Sequence, residues 1–230
     1  DVGNTTVRWA FTDGHGLTGQ GSFVHRGHAV STLADQAWAG REAPDAMAVA
    51  NVAGRPMQDT ITRWTREHWN LVPLFIQVAA GAAGVTNAYA MPQQLGVDRW
   101  AAMVAAWHDH QSAVLVIDCG SAITADVVDA GGRHHGGLIA PGVGMMRDSL
   151  SQNTANIDIL PPDEARTVTL LSDGTQAAIR NGTIYMASAM IDRVAAEVAE
   201  RFGSGIRAVM TGGDAPLIQP MLGCETIHDP

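Results

Sequence analysis

Two short runs, Asp1-Val2-Gly3-Asn4-Thr5 and Asp118-Cys119-Gly120-Ser121-Ala122, share the pattern D-x-G-[N/S]-[T/A] and stand 117 residues apart in a chain of 230. The bare pattern is common by chance; the constraint comes from its surroundings. The second run closes a continuous apolar strand, Ala113 to Ile117, and both runs open into two further strand-like segments joined by a turn. In the first half Thr5 to Thr12 alternates in character, Gly14 to Gly16 supplies a turn and Gly19 to His25 returns. In the second half Ile123 to Val128 is followed by a turn at Asp129 to Gly132 and a strand at Gly136 to Ala140. A chain that opens twice in the same way predicts two related lobes, residues 1–108 and 109–230, meeting between 106 and 112. Asp1 stands directly in its motif, so a few residues of a preceding strand are expected upstream, and Asp229-Pro230 reads as a clipped end.

The rest of the chain reads as α/β alternation. Val30 to Ala39 is a short helix, Ala46 to Val52 a buried strand, Pro56 to Trp69 an amphipathic helix opened by a favoured proline, and Leu71 to Ala79 another strand. Gly96 to His110 carries Trp100, Met103, Val104 and Trp107 at helical spacing. The longest helical stretch is Gly174 to Phe202, with a break expected near Gly182 and Ile184, Ala187, Ile191, Val194, Val198 and Phe202 along one face. Ile206 to Met210 is a strand and Ala215 to Leu222 a closing helix. No low-complexity linker separates the lobes, so motion between them would be a hinge between packed domains.

Composition removes several classes. Hydrophobic residues make up 46% and charged residues 16%, which excludes disordered and fibrous chains. No apolar run approaches the ~20 residues that cross a bilayer. Cys119 and Cys224 are too few for a disulfide framework or a Cys-based zinc site, and nothing resembles a signal peptide, so a reducing cytoplasm is the expected compartment. Acidic residues number 23 against 14 basic, and the net charge of −9 leaves no broad footprint for nucleic acid or an anionic membrane. All 14 basic residues are Arg. Without Lys there is no Schiff-base chemistry and no Walker A loop.

Glycine turns can hold phosphate without Lys. A Gly-Asn-Thr turn between strands presents backbone N–H groups and a hydroxyl, and an Asp at the strand end suits a cation beside the phosphate. One such turn reads as an ordinary hairpin; two of them read as a clamp for a nucleotide's phosphate tail. Thr211-Gly212-Gly213-Asp214 after an apolar strand suits the close approach of a flat ligand such as adenine, although alone, like Gly136-Gly137 and Pro141-Gly142-Val143-Gly144, it is weak. Leu95-Gly96-Val97-Asp98-Arg99-Trp100 places a carboxylate for proton abstraction beside a guanidinium for an anionic substrate. Taken by itself, that segment needs Asp98 only to complement a helix dipole. His108-Asp109-His110 and His134-His135 lack convergent ligand spacing and read as structural or solvated, and the six scattered Trp read as core.

Together D-V-G-N-T-T-V-R-W, N-A-Y-A-M-P-Q-Q-L-G-V-D-R-W, D-C-G-S-A-I-T-A-D, G-G-L-I-A-P-G, D-G-T-Q-A-A-I-R-N-G and T-G-G-D-A make the chain resemble the type III pantothenate kinases over essentially its whole length. L-G-x-D-R-W together with D-x-G-[T/S]-A-x-T-x-D is the specific part. The resemblance implies the acetate and sugar kinase, heat-shock 70 and actin superfamily: an α/β, actin-like ATPase fold of two ribonuclease H-like lobes, each a mixed sheet with flanking helices. It implies ATP-dependent phosphorylation of pantothenate to 4′-phosphopantothenate, the opening step of coenzyme A synthesis. Asp98 would be the general base, Arg99 the anchor for the substrate carboxylate, and Tyr89, Gly96, Val97 and Thr175 the rest of the pantothenate pocket. Asp1, Val2, Gly3, Asn4, Thr5, Thr6, Val7 and Arg8 would form the ATP-phosphate loop, with Ser121 as second phosphate contact and Asp118 as ligand of a monovalent cation, potassium or ammonium, alongside Mg²⁺. A homodimer is implied as well, and the stripe on Gly174 to Phe202, larger than one small lobe needs, is a candidate interface. Arg8 stands where the family commonly has Lys, which keeps charge but changes geometry. Ser121 replaces a common Thr and keeps the hydroxyl.

Two other readings share these motifs. A sugar or acyl phosphotransferase of the same superfamily would carry both D-x-G loops but has no reason to carry Tyr89 and Gly96 to Arg99 in this arrangement. A catalytically idle regulatory protein is the other; the acidic charge and the lack of a helix-turn-helix signature argue against direct DNA contact.

Overall fold

The computed structural model describes residues 1–25, 28–154 and 167–229, so Pro230, the end of the expected second lobe, lies outside the described residues. The chain divides into two compact units, 1–79 with 91–101 and 80–90 with 102–230. In chain order the elements are β1 (Thr6–Thr12), β2 (Leu17–Val24), α1 (Val30–Trp38), β3 (Ala48–Val49), α2 (Arg55–Trp69), β4 (Leu74–Phe75), β5 (Gly81–Ala82), β6 (Val85–Thr86) and α3 (Val97–His110). There follow β7 (Val114–Cys119), β8 (Ala122–Val128), β9 (His134–Pro141), α4 (Val143–Asn153), α5 (Thr175–Phe202), β10 (Arg207–Thr211), α6 (Ala215–Ile218) and β11 (Ile227–His228).

The second unit holds a mixed sheet in the order β11-β10-β7-β8-β9. β7, which carries Asp118, lies at its centre, antiparallel to β8 and parallel to β10. The first unit holds two separate two-stranded sheets, β1-β2 and β3-β4. Val2 bridges to Val7 on β1 and, in parallel sense, to Asn51 just beyond β3. β1 pairs antiparallel with β2, and β3 pairs parallel with β4. Each unit thus holds an antiparallel strand pair after its D-x-G run and a parallel strand pair, β1-β2 with β3-β4 in the first and β8-β9 with β10-β11 in the second.

Two expected strands shrink. Ala46 to Val52 and Leu71 to Ala79 pair with each other only through Ala48–Val49 and Leu74–Phe75. Pro73, lacking an N–H, cannot extend that ladder beyond the bond from Leu74 to the Met47 carbonyl. β11 and the β5-β6 hairpin have no strong sequence signal. The hairpin turns at Ala83 and Gly84, both at positive φ (47° and 89°), as a tight primed turn requires.

Around Trp38 the first unit gathers Trp9, Phe23, Trp64 and Trp69. Helix α2 contributes Met57, Ile61, Trp64 and Thr65, one buried face at helical spacing. The second core packs Leu115, Ile117, Ile123 and Met210 of the sheet against Ile184, Ala187 and Ile191 of α5. Helix α5 runs through Gly182 without a break: a mid-helix glycine costs only about 1 kcal/mol, and Asn181, Thr183 and Ile184 are buried on either side of it. Its stripe is spent inside the unit, because Val194, Val198 and Phe202 also pack against this core. That corrects the expectation of a surplus apolar face.

Residues 80–90, expected in the first lobe, pack with the second unit, and the reason is local. Thr86 N–H donates to the Gly132 carbonyl at 2.8 Å, and Trp107 Nε1–H donates to the Asp129 carbonyl at 3.0 Å. The Trp107 ring lies against Gly84, where a Cβ would come within 2.7 Å of it. Gly132, at φ 81°, approaches the Gly84 carbonyl so closely that a Cβ would stand 2.1 Å from the oxygen. Gly132→Ala is therefore expected to destabilise the protein by at least about 2 kcal/mol, read from denaturant midpoints. An unchanged midpoint would refute the close approach.

Candidate functional site

The first D-x-G run is a closed turn. Gly3 N–H donates to the Thr6 carbonyl at 3.0 Å, and Arg8 N–H donates to the Asp1 carbonyl at 2.9 Å. His25 Nε2 lies 2.9 Å from the Gly3 carbonyl, which only accepts, so that nitrogen carries the proton. Val2 and Val7 anchor the turn in the core, while Asn4 and Arg8 are exposed and Thr5 and Thr6 half-buried. An amide, two hydroxyls and a guanidinium are thus presented together on one rigid hairpin.

The second run is packed more tightly. Gly120 N–H donates to the Ala122 carbonyl at 3.0 Å, and Gly142 N–H to the Ser121 carbonyl at 3.0 Å. A Cβ on Gly142 would stand 2.2 Å from the Gly120 oxygen. Gly212, at φ 98°, would place a Cβ 2.4 Å from Asp118 Oδ1 and 2.5 Å from the Cys119 carbonyl carbon, and Asp214 N–H donates to the Cys119 carbonyl at 2.8 Å. Three glycine turns that were separate and individually weak in the sequence therefore meet around Asp118 and Ser121. Gly142 is also the residue from which α4 starts.

Asp118 and Asp214 make this cluster negative. Burial pushes the Cys119 thiol up to about 12, and the charges of Asp118 and Asp214 add to the rise. Among the described residues no three His, Cys, Asp or Glu side chains gather as a metal site. The donor set near Asp118 is oxygen-rich and sparsely chelating, which fits a hard cation completed by water or phosphate oxygens and does not fit zinc.

Gly96, Val97, Asp98 and Arg99 form the entry and first turn of α3. Asp98 is half-buried and Arg99 buried at 7% exposure. Asp98 Oδ1 accepts the Arg99 N–H at 2.7 Å and stands where a Cβ on Gly96 would lie 2.5 Å away. Glycine at 96 is what lets the carboxylate fold back over the helix start. Tyr89, in the second unit, is half-buried with its ring stacked on His134. Thr175 is exposed at the first position of α5. Residue spacing offers no reason to join Tyr89 to His134, which reads from the sequence as structural or solvated.

The profile of the type III pantothenate kinase family matches residues 1–197. A protein named type III pantothenate kinase from Nitrosococcus oceani is 37% identical across 100% of this chain and 88% of its own length. One of the same name from Alcanivorax borkumensis is 33% identical across 100% of this chain and 92% of its own. A solved structure from Campylobacter jejuni, described as a Baf family transcriptional activator, matches with a TM-score of 0.58 and 18% identity over 99% of this chain and 88% of that one, a likeness of fold.

The two thiols provide a check on the packing around the second turn. Burial, a hydrogen bond that the thiol donates to Asp192, and the charge of Asp192 raise Cys224 to about 11, as burial raises Cys119 to about 12, both from an ordinary 9.0. Each thiol holds its proton more tightly folded than unfolded, so its contribution to stability is intact below about pH 9 and is lost as pH rises through those folded values. At pH 8 the native chain is expected to resist a thiol-selective disulfide reagent, and denaturation to release two reactive thiols. Fast native labelling of Cys119 would contradict the packing of the turn.

Proposed function

The chain belongs to the type III pantothenate kinase family, and on that footing we propose that it transfers the γ-phosphoryl group of ATP to the hydroxyl of pantothenate, opening coenzyme A synthesis, with Asp98 as general base. The observation that carries the reading is the start of α3. A half-buried carboxylate is pinned there by one backbone N–H and by the absence of a side chain at Gly96, with a buried guanidinium in the next position.

Phosphoryl transfer asks little covalent chemistry of a protein and much positioning and charge neutralisation. Asp98 holds one oxygen on the Arg99 N–H and offers the other to the substrate hydroxyl proton. Arg99 meets the pantothenate carboxylate with its planar fork, and Tyr89, Gly96, Val97 and Thr175 complete that pocket. On the nucleotide side, Asp1 to Arg8 and Ser121 contact the ATP phosphates. Asp118 would hold potassium or ammonium there, and Mg²⁺ would supply the charge neutralisation that a P-loop Lys gives elsewhere. Two oxygen-rich turns and the paired charges of Asp118 and Asp214 support this in a chain without Lys.

We read the two units as ribonuclease H-like lobes of an actin-like ATPase fold, the first carrying one phosphate loop and the second the other together with an adenosine-side Gly212-Gly213 loop. An antiparallel strand pair after each D-x-G run and a parallel strand pair in each unit support it. A homodimer follows from the same family reading, with exposed Leu138 and Ile139 on β9 and Met186 on α5 as interface candidates. Among the described residues no helix is long and apolar enough to cross a membrane, and free thiols at both cysteines support a place in a reducing cytoplasm.

The test is ADP release from MgATP and pantothenate in potassium against sodium buffer. Turnover dependent on pantothenate and favoured by potassium is expected. Activity on a sugar or acyl acceptor instead would move the chain to another phosphotransferase reaction, and no turnover from folded protein would count against an enzyme. Asp98→Asn is expected to keep the wild-type melting temperature and to lower kcat by roughly two to four orders of magnitude; full activity in that variant would remove the base from Asp98.

A further inference from the structure

The most deeply buried polar pair of the second unit does no work in the reading above. His134 is fully buried and Asp126 is 2% exposed. His134 Nε2 stands 3.1 Å from Asp126 Oδ1, and Nδ1 stands 3.4 Å from the backbone nitrogen of Ala88. An amide N–H only donates, so Nδ1 accepts and Nε2 bears the proton that Asp126 receives as a hydrogen bond. One neutral tautomer satisfies both neighbours.

Backbone geometry brings this pair together deliberately. Asp126 faces Gly137 across the β8-β9 ladder, and continued regular pairing would set Val128 opposite His135. Val128 instead faces His134, because β9 carries one extra residue at Gly136, whose φ is 97°. A bulge of this kind re-aims the side chains beyond it. Without it His134 would point to the opposite face of the sheet from Asp126.

The imidazole ring stacks on Tyr89, with centroids 6.1 Å apart and planes 14° from parallel. The N–H of Ala88, next to Tyr89, is bound to His134, and the N–H of Tyr89 donates to Asn87 Oδ1 at 2.9 Å. Both the ring and the backbone of Tyr89 are therefore referenced to one buried histidine. Fully enclosed, His134 has no surface with which to touch a substrate.

The geometry points to His134, oriented by Asp126, as a positioning residue that holds Tyr89 in place for pantothenate, so that it sets acceptor affinity and leaves the phosphoryl-transfer step alone. This rests on the reading of Tyr89 as part of the pantothenate pocket.

A double-mutant cycle on the full chain tests it, using His134→Gln, Tyr89→Ala and the double variant. Gln keeps an N–H donor for Asp126 but loses the ring and the acceptor for Ala88. His134→Gln is expected to raise the pantothenate KM about tenfold, with kcat within about twofold and the ATP KM unchanged. Tyr89→Ala should raise the pantothenate KM at least as far, and the double variant should be no worse than Tyr89→Ala alone, because His134 acts through that ring. Multiplying effects in the double variant, a fall in kcat at constant KM, or an unchanged KM in His134→Gln would each overturn the proposal. If Tyr89→Ala leaves the pantothenate KM unchanged, the pocket reading falls with it; a Tyr89→Ala effect without a His134→Gln effect sinks the proposal alone. Should the Gln variant fail to fold, His134→Asn, which keeps an acceptor near Ala88, enters the same cycle with the same outcomes.

Discussion

Backbone pressed against backbone, with no side chain between, is the condition on which the second unit is built. Gly212 against Asp118 and Cys119, Gly142 against Gly120, and Gly132 against Gly84 are contacts that a single methyl group would prevent. Each joins segments distant in sequence, so each fixes a loop on its neighbour instead of on its own strand. The D-C-G turn owes its shape to two other turns as much as to itself. That is why a carboxylate, a hydroxyl and the N–H groups of a helix start share one small region without a long side chain to bring them there.

Much of the fold was legible because it is written in short-range periodicity. The continuous apolar run of β7 announced a strand buried on both faces, and the spacing of Met57, Ile61, Trp64 and Thr65 announced the inward face of α2. The strand pairs that follow each D-x-G run were legible too, β1 with β2 and β8 with β9, both antiparallel. What failed to show were features decided by partners. The length of β3 depended on Pro73 in the pairing strand, 24 residues beyond Val49, and the home of residues 80–90 depended on Gly132 and Trp107. Neither leaves a local signature.

The candidate site divides in the same way. Gly96 to Arg99 could be named from sequence because carboxylate, guanidinium and helix start are consecutive. The Gly142 and Gly212 turns were visible as turns but not as neighbours of Asp118. His134 was invisible as a partner of Tyr89, since the two are 45 residues apart and meet only through a bulge at Gly136. A sequence can show that a residue is able to hold a proton; it takes a fold to show which face of a sheet that residue is on.

The tryptophans have an optical consequence. Five of the six belong to the first unit, and four of them couple at short range, Trp38 lying 5.4 Å from Trp64 in a T-shaped pair and Trp64 4.9 Å from Trp69 at right angles. Indoles this close exchange excitation and give a strong near-ultraviolet circular dichroism that vanishes once their mutual angles are lost. The second unit has Trp107 alone, bonded to a backbone carbonyl under a glycine turn, and so lacks that dichroic couplet. Near-ultraviolet ellipticity therefore reports the packing of the first unit in an unlabelled sample.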